Sequence, residues 1–251
     1  TSRLMTGILT GFSANRLRKR YFIDLRDIFS ETISDLFSLK SKVLGSITKL
    51  ILLRLEKNLF RGSVGVNLVS KGFTDYFIEN NFDISGWSFF PNGVDQEFLG
   101  FSDENKTKRS AAQGKTILYA GNIGNGQGLE KVIPQLSKQL GKDYKFLVVG
   151  GGGTELLLKE AVASEVGNNI EMVGPVSRKL LMEYYRKADI LFLHLNNVPA
   201  LKRVLPSKIF EYAALGKPIV AGLSGYSAKF LQDEVPYASL FEPCDFKGGH
   251  K

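Results

Sequence analysis

Residues 116–128 read Thr-Ile-Leu-Tyr-Ala-Gly-Asn-Ile-Gly-Asn-Gly-Gln-Gly, an apolar run followed by a glycine-rich turn, and a helical pattern begins near Leu129. A short apolar run that ends at glycine is typical of a strand buried on both faces. The glycines let the backbone approach a ligand closely, and the helix behind them offers N–H groups and a positive dipole end to an anion. The segment therefore predicts a strand, a phosphate-binding loop and a helix, with a flexible turn as the alternative to the loop.

The same alternation continues along the chain. Further apolar runs predict strands at 146–150, 170–173, 190–194 and 218–221, each with a helical stretch beside it. Continuous apolar strands between helices indicate a parallel sheet that is covered on both faces, so the predicted fold class is α/β and doubly wound. Ligands bind such sheets at the carboxyl ends of the strands. The candidate site therefore lies in the loops that start at Gly121, Gly150, Gly174 and Leu195.

The N-terminal part has a less regular pattern. Three apolar runs predict strands and three periodic stretches predict helices, the strands at 21–25, 64–70 and 87–90 and the helices at 28–37, 43–60 and 72–80. The polar run 102–114 contains no large apolar residue, which is typical of a linker. The sequence thus predicts two domains, residues 1–101 and residues 115–251.

The composition excludes several classes of protein. The chain has 251 residues, enough for one large or two small domains, and its 43% hydrophobic content indicates a folded core. The single cysteine, Cys244, excludes an intrachain disulfide, and with His194 and His250 far apart there is no zinc-binding spacing. This composition fits a reducing cytosolic compartment. No segment approaches the roughly 20 apolar residues of a membrane span.

Positive charge is concentrated at the N-terminal end. The chain carries 33 Lys and Arg against 25 Asp and Glu, and residues 1–60 alone carry 11 against 5. This part holds a basic cluster at 16–20 and a basic amphipathic stretch at 41–60, which can lie on an anionic membrane. The alternative is a helix with its apolar face in the core and its lysines in solvent. Nucleic acid is not expected as a partner, because no recognised binding motif accompanies the charge.

Two familiar nucleotide-binding motifs are missing from the sequence. The glycines between 121 and 128 have neither the dinucleotide spacing nor a following Gly-Lys-Ser/Thr. No Asp or Glu lies between Tyr144 and Thr154, where a dinucleotide fold needs an acid. These features argue against NAD. The glycine run at 150–153 can cradle a phosphate or simply relieve steric crowding at the strand end.

The segment 202–218 contains the most informative side chains. Pro206 suits the first turn of a helix, and Ser207 offers a hydroxyl there. Lys208 and Glu211 are three residues apart, so both project from one face near the helix start. A lysine in this place can meet a phosphate, and the carboxylate can accept both hydroxyls of a ribose. The alternative is an ordinary ion pair on a solvated helix.

Short motifs follow one another along most of the chain from about Tyr21 onward. They are Val-Ser-Lys-Gly at 69–72, Pro-Asn-Gly-Val-Asp at 91–95, Tyr-Ala-Gly-Asn-Ile-Gly at 119–124, Gln-Gly-Leu at 127–129, Val-Gly-Pro-Val at 173–176, Ala-Asp-Ile at 188–190 and Pro-Ser-Lys-x-x-Glu-Tyr at 206–212. In this order the chain resembles the retaining glycosyltransferases of family 4, which have the GT-B fold of two Rossmann-like domains. It looks most like the subgroup that adds N-acetylfucosamine-like sugars during O-antigen, capsule or exopolysaccharide assembly.

The resemblance implies that residues 115–251 bind a nucleotide sugar, most often a UDP-sugar, with no cofactor and no required metal. The backbone around Val176 would meet the base, and Glu211 would meet the ribose. The diphosphate would meet Ser207, Lys208 and the loop that contains Gly121, Asn122 and Gly124. The acceptor would be a lipid-linked saccharide, and the enzyme would bind peripherally to the cytosolic face of the cell membrane.

Two positions depart from the family pattern. Many members have Arg and Lys in the first loop, where this chain has Asn122 and Gln127, and many have glutamate where this chain has Arg203. A diphosphate leaving group develops negative charge, so other cations must replace the missing loop charges. Lys208, together with Lys202 or Arg203, can supply this charge.

The resemblance also implies an incomplete first domain in residues 1–101 and a C-terminal end that stops before the last helix. It assigns no catalytic residue. Arg26 and Asp27 are candidates because they follow a predicted strand and would face the interdomain cleft, although a strand-end ion pair explains them as well. Two other functions stay open, namely a nucleotide-binding module without transfer activity and a UDP-sugar epimerase on the same fold.

Overall fold

The computed structural model describes residues 4–28, 30, 42–100, 114–165 and 169–245. The chain divides into two compact units, Thr1–Asn92 with Arg203–Leu205, and Gly93–Lys202 with Pro206–Lys251. Most of the predicted linker, 102–113, lies outside the described residues. Its role as a linker therefore stays a prediction.

The division between the units falls earlier in the chain than that linker. Residues just after Asn92 group with the second unit because Arg178 forms ion pairs with Asp95 and Glu97. The Arg178 guanidinium also lies 5.3 Å from the ring centroid of Phe98. The compact units therefore separate at Asn92 and Gly93, whereas the predicted first domain extended to residue 101.

The first unit consists of short strands and helices. Its elements in chain order are α1 Leu4–Arg16, β1 Ile23–Leu25, α2 Lys42–Arg61, β2 Val66–Leu68, a 3-10 turn Lys71–Phe73, α3 Thr74–Glu79 and β3 Ser88–Phe89. The strands form a parallel sheet in the order β1-β2-β3. The three predicted strands are confirmed at shorter lengths. The second predicted helix is confirmed and is one residue longer at each end, and the third is confirmed at a shorter length. The predicted helix 28–37 lies almost entirely outside the described residues, and α1 was not predicted.

Aromatic side chains fill the core of the first unit. Phe77 packs edge-on against Phe60, Phe82 and Trp87, with ring centroids 5.6, 5.2 and 4.8 Å away. Edge-to-face contacts at these distances add to the free energy gained by burying the rings. This cluster joins α2 and α3 to the segment that leads into β3.

Helix α2 covers the basic amphipathic stretch, for which the sequence left open a membrane-facing and a core-facing helix. Its last turns bury Leu59 and Phe60 in the aromatic core. Its first turns carry exposed apolar side chains, namely Val43, Ile47, Leu50 and Ile51. The core interpretation is therefore confirmed for the end of the helix only. Among the described residues, no helix has both the length and the apolarity needed to cross a membrane.

The second unit contains the larger sheet. Its elements in chain order are α4 Gln96–Leu99, β4 Lys115–Ala120, α5 Leu129–Leu140, β5 Tyr144–Val149, α6 Glu155–Ser164, β6 Ile170–Val173, α7 Arg178–Lys187, β7 Ile190–His194, α8 Ser207–Leu215, β8 Ile219–Gly222, α9 Tyr226–Glu234 and β9 Ala238–Phe241. All strand pairs are parallel, in the order β6-β5-β4-β7-β8-β9. This is the order of a doubly wound Rossmann sheet. The α/β class and the five strands predicted here are confirmed, whereas β9 was not predicted.

The strand register brings the carboxyl ends of the central strands to one edge of the sheet. Ala120 at the end of β4 lies opposite Val149, and Val149 lies opposite Val173. The strand order reverses its direction at β4, which has β5 on one side and β7 on the other. The loops after β4 and β7 therefore flank the crevice where doubly wound folds bind ligands.

A buried lysine connects helix α7 to the sheet. Lys217, in the turn before β8, is 7% exposed. Its Nζ donates hydrogen bonds to the carbonyl oxygens of Arg186 at 3.0 Å and Ala188 at 2.5 Å. The last carbonyls of a helix have no partner within the helix, so a cation here satisfies them and offsets the negative end of the helix dipole.

We expect Lys217→Met to lower the free energy of unfolding by about 1–3 kcal/mol, because buried carbonyl groups lose a charged donor while the aliphatic stem is retained. Urea unfolding followed by circular dichroism measures this change. Lys187→Met is the matched control, since Lys187 is an exposed lysine in the last turn of α7. Equal losses in the two variants would contradict the role of Lys217.

Candidate functional site

The loops after β4 and β5 are held together by backbone hydrogen bonds. The Gly121 N–H donates to the Val149 carbonyl at 2.8 Å, and the Ile123 N–H donates to the Gly151 carbonyl at 2.9 Å. The Thr154 N–H then donates to the Ile123 carbonyl at 3.0 Å. The two loops therefore form one continuous backbone surface at the carboxyl edge of the sheet. The role of the first loop in binding phosphate stays a prediction.

Glycine is required where these loops touch. A Cβ atom on Gly150, whose φ is +140°, would overlap the carbonyl group of Gly121. A Cβ atom on Gly152, whose φ is +159°, would overlap the carbonyl oxygen of Ile123. The run 150–153 thus relieves steric crowding, which was one of its two predicted roles. Its contact with phosphate stays a prediction.

The side chain of Gln127 closes the glycine-rich loop. Its Oε1 accepts a hydrogen bond from Asn122 Nδ2 at 3.0 Å and another from the Gly124 N–H at 3.2 Å. Gly128 then adopts a left-handed conformation with φ +56°, and α5 starts at the next residue. Asn122 and Gln127, which stand where the resemblance implied Arg and Lys, therefore bind each other and shape the loop.

Lys208 places a cation against this loop. The residue lies in the first turn of α8, and its Nζ is 5.8 Å from the ring centroid of Tyr119. A Cβ atom on Gly121 would overlap this Nζ, so the ammonium occupies the space that glycine leaves at the end of β4. Burial lowers the pKa of Lys208, while the negative charge of Glu211 partly opposes this effect. Among the described residues no direct ion pair joins these two side chains, so the ion-pair alternative is wrong.

Buried tyrosines support the site from below. The Tyr119 hydroxyl donates to the carbonyl oxygen of Asn122, and the Tyr212 hydroxyl accepts a hydrogen bond from the Ala120 N–H at 3.4 Å. The Tyr185 ring packs edge-on against Tyr212 at 6.0 Å. Burial raises the pKa of all three phenols, so they stay neutral and support the loop as hydrogen-bonding and packing partners.

The sequence analysis included Tyr119 and Tyr212 only as members of motifs, and it gave no role to Tyr185. The contact of Tyr119 with the loop was predictable from the sequence, because a tyrosine hydroxyl near the end of a buried strand needs a polar partner in the following loop. Tyr185 had no comparable signal within its own helix.

The other predicted donor-binding residues lie outside the cluster formed by the glycine-rich loop and Lys208. Ser207 is exposed at the start of α8, and Glu211 is half-buried one turn further on. Val176 is half-buried in the loop after β6, whose Pro175 faces Gly151. The structure thus brings together four of the predicted residues, namely Gly121, Asn122, Gly124 and Lys208. The base and ribose contacts of Val176 and Glu211 stay predictions.

Arg203 groups with the first unit. Its guanidinium lies 3.6 Å from the carboxylate of Glu79, and its carbonyl oxygen accepts a hydrogen bond from the Ser70 hydroxyl at 2.5 Å. The contact with a donor diphosphate that was expected of Arg203 stays a prediction.

The candidate residues Arg26 and Asp27 follow β1 in the first unit. Arg26 pairs with Asp24 at 2.9 Å and donates to the side chain of Asn92 at 3.4 Å. The strand-end ion pair therefore exists, but its acid is Asp24. Asp27 as a whole is exposed at the surface. Its carboxyl group is nevertheless partly desolvated by neighbouring protein atoms, which raises its pKa. In the part of the chain that the structure describes, no group of three or more His, Cys, Asp or Glu is arranged to hold a metal.

Comparison with known proteins identifies the class to which this fold and site belong. The family described as glycosyl transferases group 1 matches residues 101–247. Because this match spans more than half of the chain, the protein belongs to that family.

Two curated bacterial relatives match part of the chain. The chain is 27% identical over 170 residues to WcaI of Escherichia coli (strain K12), which is named as a colanic acid biosynthesis glycosyl transferase, and the match covers 64% of this chain and 41% of the relative. It is 28% identical over 163 residues to TuaH of Bacillus subtilis (strain 168), named as a teichuronic acid biosynthesis glycosyltransferase, with coverage of 62% and 39%. The chain thus spans about two fifths of these relatives.

Solved structures share the fold. Anabaena Alr3699/HepE in complex with UDP and glucose has a TM-score of 0.74 at 18% identity, over 98% of this chain and 64% of that one. The lipopolysaccharide outer core galactosyltransferase WaaB has a TM-score of 0.60 at 10% identity, over 98% and 61%. The predicted fold class, α/β of GT-B type with parallel Rossmann-like sheets, is confirmed.

We expect Gly121→Ala to lower the free energy of unfolding by about 1–3 kcal/mol, because the added methyl group meets Lys208 Nζ and the backbone φ of +144° disfavours any side chain. Urea unfolding measures the loss. Gly174→Ala is the matched control, since a Cβ there meets nothing within 4 Å. A Gly121 variant as stable as this control would contradict the close approach of Lys208.

Proposed function

We propose that this protein is a retaining glycosyltransferase that moves a sugar from a UDP-sugar to a lipid-linked saccharide during surface-polysaccharide biosynthesis. Its second unit binds the donor. The sugar is of the N-acetylfucosamine-like class, in line with the motif at 206–212.

The position of Lys208 carries this proposal. Its ammonium lies against Gly121 at the carboxyl end of β4, beside the glycine-rich loop. When the bond between sugar and diphosphate breaks, negative charge grows on the UDP leaving group, and a fixed cation stabilises it. A partly buried cation interacts more strongly than an exposed one, because little water screens it. Lys208 is thus the principal charge for the diphosphate.

The remaining donor contacts follow from the loops around Lys208. Asn122, Gly124 and Ser207 supply hydrogen-bonding groups to the diphosphate at the starts of α5 and α8. Glu211 accepts the ribose hydroxyls, and the backbone at Val176 meets the base. Lys202 or Arg203 adds a second positive charge for the diphosphate.

The comparisons support the donor and the pathway class. HepE was crystallised with UDP and glucose and with UDP-glucose, which makes uridine the favoured base. The names of WcaI and TuaH refer to colanic and teichuronic acid, both in polysaccharide biosynthesis. No cofactor or metal is part of the proposal.

The first unit would serve the acceptor. Helix α1 exposes Met5, Leu9 and Phe12, and α2 exposes a second apolar stripe, close in sequence to the basic cluster at 16–20. Apolar side chains next to lysine and arginine suit an anionic membrane surface. Residues 16–60, together with the exposed apolar side chains of α1, would therefore attach the protein peripherally to the inner face of the cell membrane. Asp27 and Arg26 remain the candidates for catalytic groups.

Calorimetric titration with UDP, GDP and ADP tests the donor site. We expect the chain to prefer UDP, and Lys208→Met or Glu211→Gln to weaken UDP binding by about 10-fold or more, because each removes a hydrogen bond that involves a charged group. Lys145→Met and Glu171→Gln are matched controls, since these residues form an exposed ion pair with each other. Absence of nucleotide binding by the folded chain would contradict the donor-site assignment.

The pH dependence of UDP binding tests the charge state of Lys208. Its lowered pKa means that the ammonium loses its proton at a lower pH than an ordinary lysine. UDP affinity should therefore fall as the pH rises from about 7 toward the ordinary lysine pKa of about 10.4. Any titration of UDP itself affects the wild-type protein and Lys208→Met equally. The variant lacks the lysine ammonium, so its UDP affinity should fall less over the same pH range. Equal falls in both proteins would contradict the role of Lys208.

Product analysis with a UDP-sugar alone separates the three candidate activities. Slow release of UDP and free sugar supports a transferase that lacks its acceptor. Formation of a second UDP-sugar would instead show an epimerase. Binding without any turnover, also in the presence of lipid-linked saccharide, would show a nucleotide-binding module.

A further inference from the structure

His194, the last residue of β7, is completely buried and connects two segments that are far apart in the sequence. Its Nδ1 lies 2.5 Å from the carbonyl oxygen of Gln127 in the glycine-rich loop. Its Nε2 lies 2.9 Å from the backbone nitrogen of Cys244, after β9. Neither contact was anticipated from the sequence, where His194 was noted only as an unlikely metal ligand.

The two partners determine the tautomer of the ring. A backbone N–H can only donate, so Nε2 must accept the hydrogen bond from Cys244. The single proton of the neutral imidazole is then on Nδ1, which donates to the carbonyl oxygen of Gln127. Burial lowers the pKa of His194, the hydrogen bond to the Gln127 carbonyl partly opposes this effect, and the nearby Lys131 ammonium lowers the pKa further.

The ring has no room to turn. It lies parallel to Phe192 with ring centroids 6.4 Å apart, and it stacks on Phe241 at 6.1 Å. On the neighbouring strand, a Cβ atom at Gly222 would overlap the histidine ring. His194 therefore presents its Nδ1–H to the loop in one fixed direction.

The residues after His194 hold the same loop. The Asn196 N–H donates to the carbonyl oxygen of Gly126 at 2.8 Å, and Asn196 Nδ2 donates to that of Asn125 at 3.1 Å. Three consecutive carbonyl groups, from Asn125 to Gln127, are thus held from the end of β7. Because each peptide is planar and trans, a fixed carbonyl also fixes the N–H of the next residue.

We infer that His194 is a positioning residue of the donor site, which holds the glycine-rich loop in its diphosphate-binding shape through the carbonyl group of Gln127. The effect passes through one residue, because the side chain of Gln127 binds Gly124 and Asn122 on the ligand side of the loop. His194 therefore acts on the donor only through Gln127 and makes no contact with the donor itself. The inference rests on the proposed function for the identity of the ligand, and on the structure for the coupling.

Two substitutions separate the two hydrogen bonds of His194. The Nδ2 of asparagine is as many bonds from Cβ as histidine Nδ1, so His194→Asn can still donate to Gln127. The Oε1 of glutamine is as many bonds from Cβ as histidine Nε2, so His194→Gln can accept from Cys244 but loses the donor to Gln127. Both variants lose the ring stacking, and circular dichroism and thermal unfolding check that they fold.

Calorimetry with UDP gives the decisive comparison. We expect His194→Gln to bind UDP about fivefold more weakly than His194→Asn, the effect of one lost hydrogen bond, although both lose similar stability. Equal affinities, or weaker binding by the asparagine variant, would overturn the inference. If the wild-type chain binds no UDP, the proposed function fails instead. Amide hydrogen exchange of Gly124 then tests the coupling, with faster exchange expected in the glutamine variant and equal rates contradicting it.

A second test keeps His194 in place and substitutes the other histidine of the chain. The chain has two histidines, so His250→Asn leaves His194 as the source of the remaining ring signals. Nitrogen-15 NMR should show a neutral ring with its proton on Nδ1. A proton on Nε2, or a ring that titrates with the ordinary histidine pKa of about 6.5, would overturn the inference.

Discussion

The close approach of two backbone segments, the one after β4 and the one after β5, is the constraint on which the site depends. Gly150 and Gly152 bring peptide groups into direct contact with those of Gly121 and Ile123, with no side chain between them. The same absence of a side chain at Gly121 makes the space that Lys208 Nζ occupies. One steric requirement thus shapes both the loop and the position of its cation.

The candidate site contains few charges and a loop that is closed by its own hydrogen bonds. Where the resemblance implied Arg and Lys, this chain has Asn122 and Gln127, whose amide groups bind each other. In the proposed donor site, fixed hydrogen-bond donors and the desolvated Lys208 take over most of the role of these cations. Pre-oriented groups of this kind stabilise a developing charge without reorganising at the moment of reaction.

The sequence predicted the parallel sheet of the second unit because its central strands are continuous apolar runs, such as 116–120 and 190–194. It did not predict β9, because only Phe241 of that edge strand is buried. It also did not predict α1, where Met5 and Leu9 are exposed and leave no simple core-facing pattern. Strands and helices with one weakly buried face lack the periodicity on which such predictions depend.

The candidate site was predictable in its residue types but not in its connections. The spacing of Lys208 and Glu211 and the glycines of the first loop indicated a phosphate site. The contact between His194 and Gln127 joins residues 67 positions apart, and no local pattern reports such a contact. The exclusion of a direct ion pair between Lys208 and Glu211 likewise required coordinates, because a three-residue spacing fits both arrangements.

Mapping UDP binding by NMR tests the proposed donor site most directly. In a nitrogen-15 labelled chain, UDP should shift the backbone amide signals of residues 121–127 and of the first turn of α8, and leave those of β9 unchanged. This pattern would place the diphosphate between the glycine-rich loop and Lys208. Shifts concentrated elsewhere in the folded protein, or none at saturating UDP, would contradict that placement.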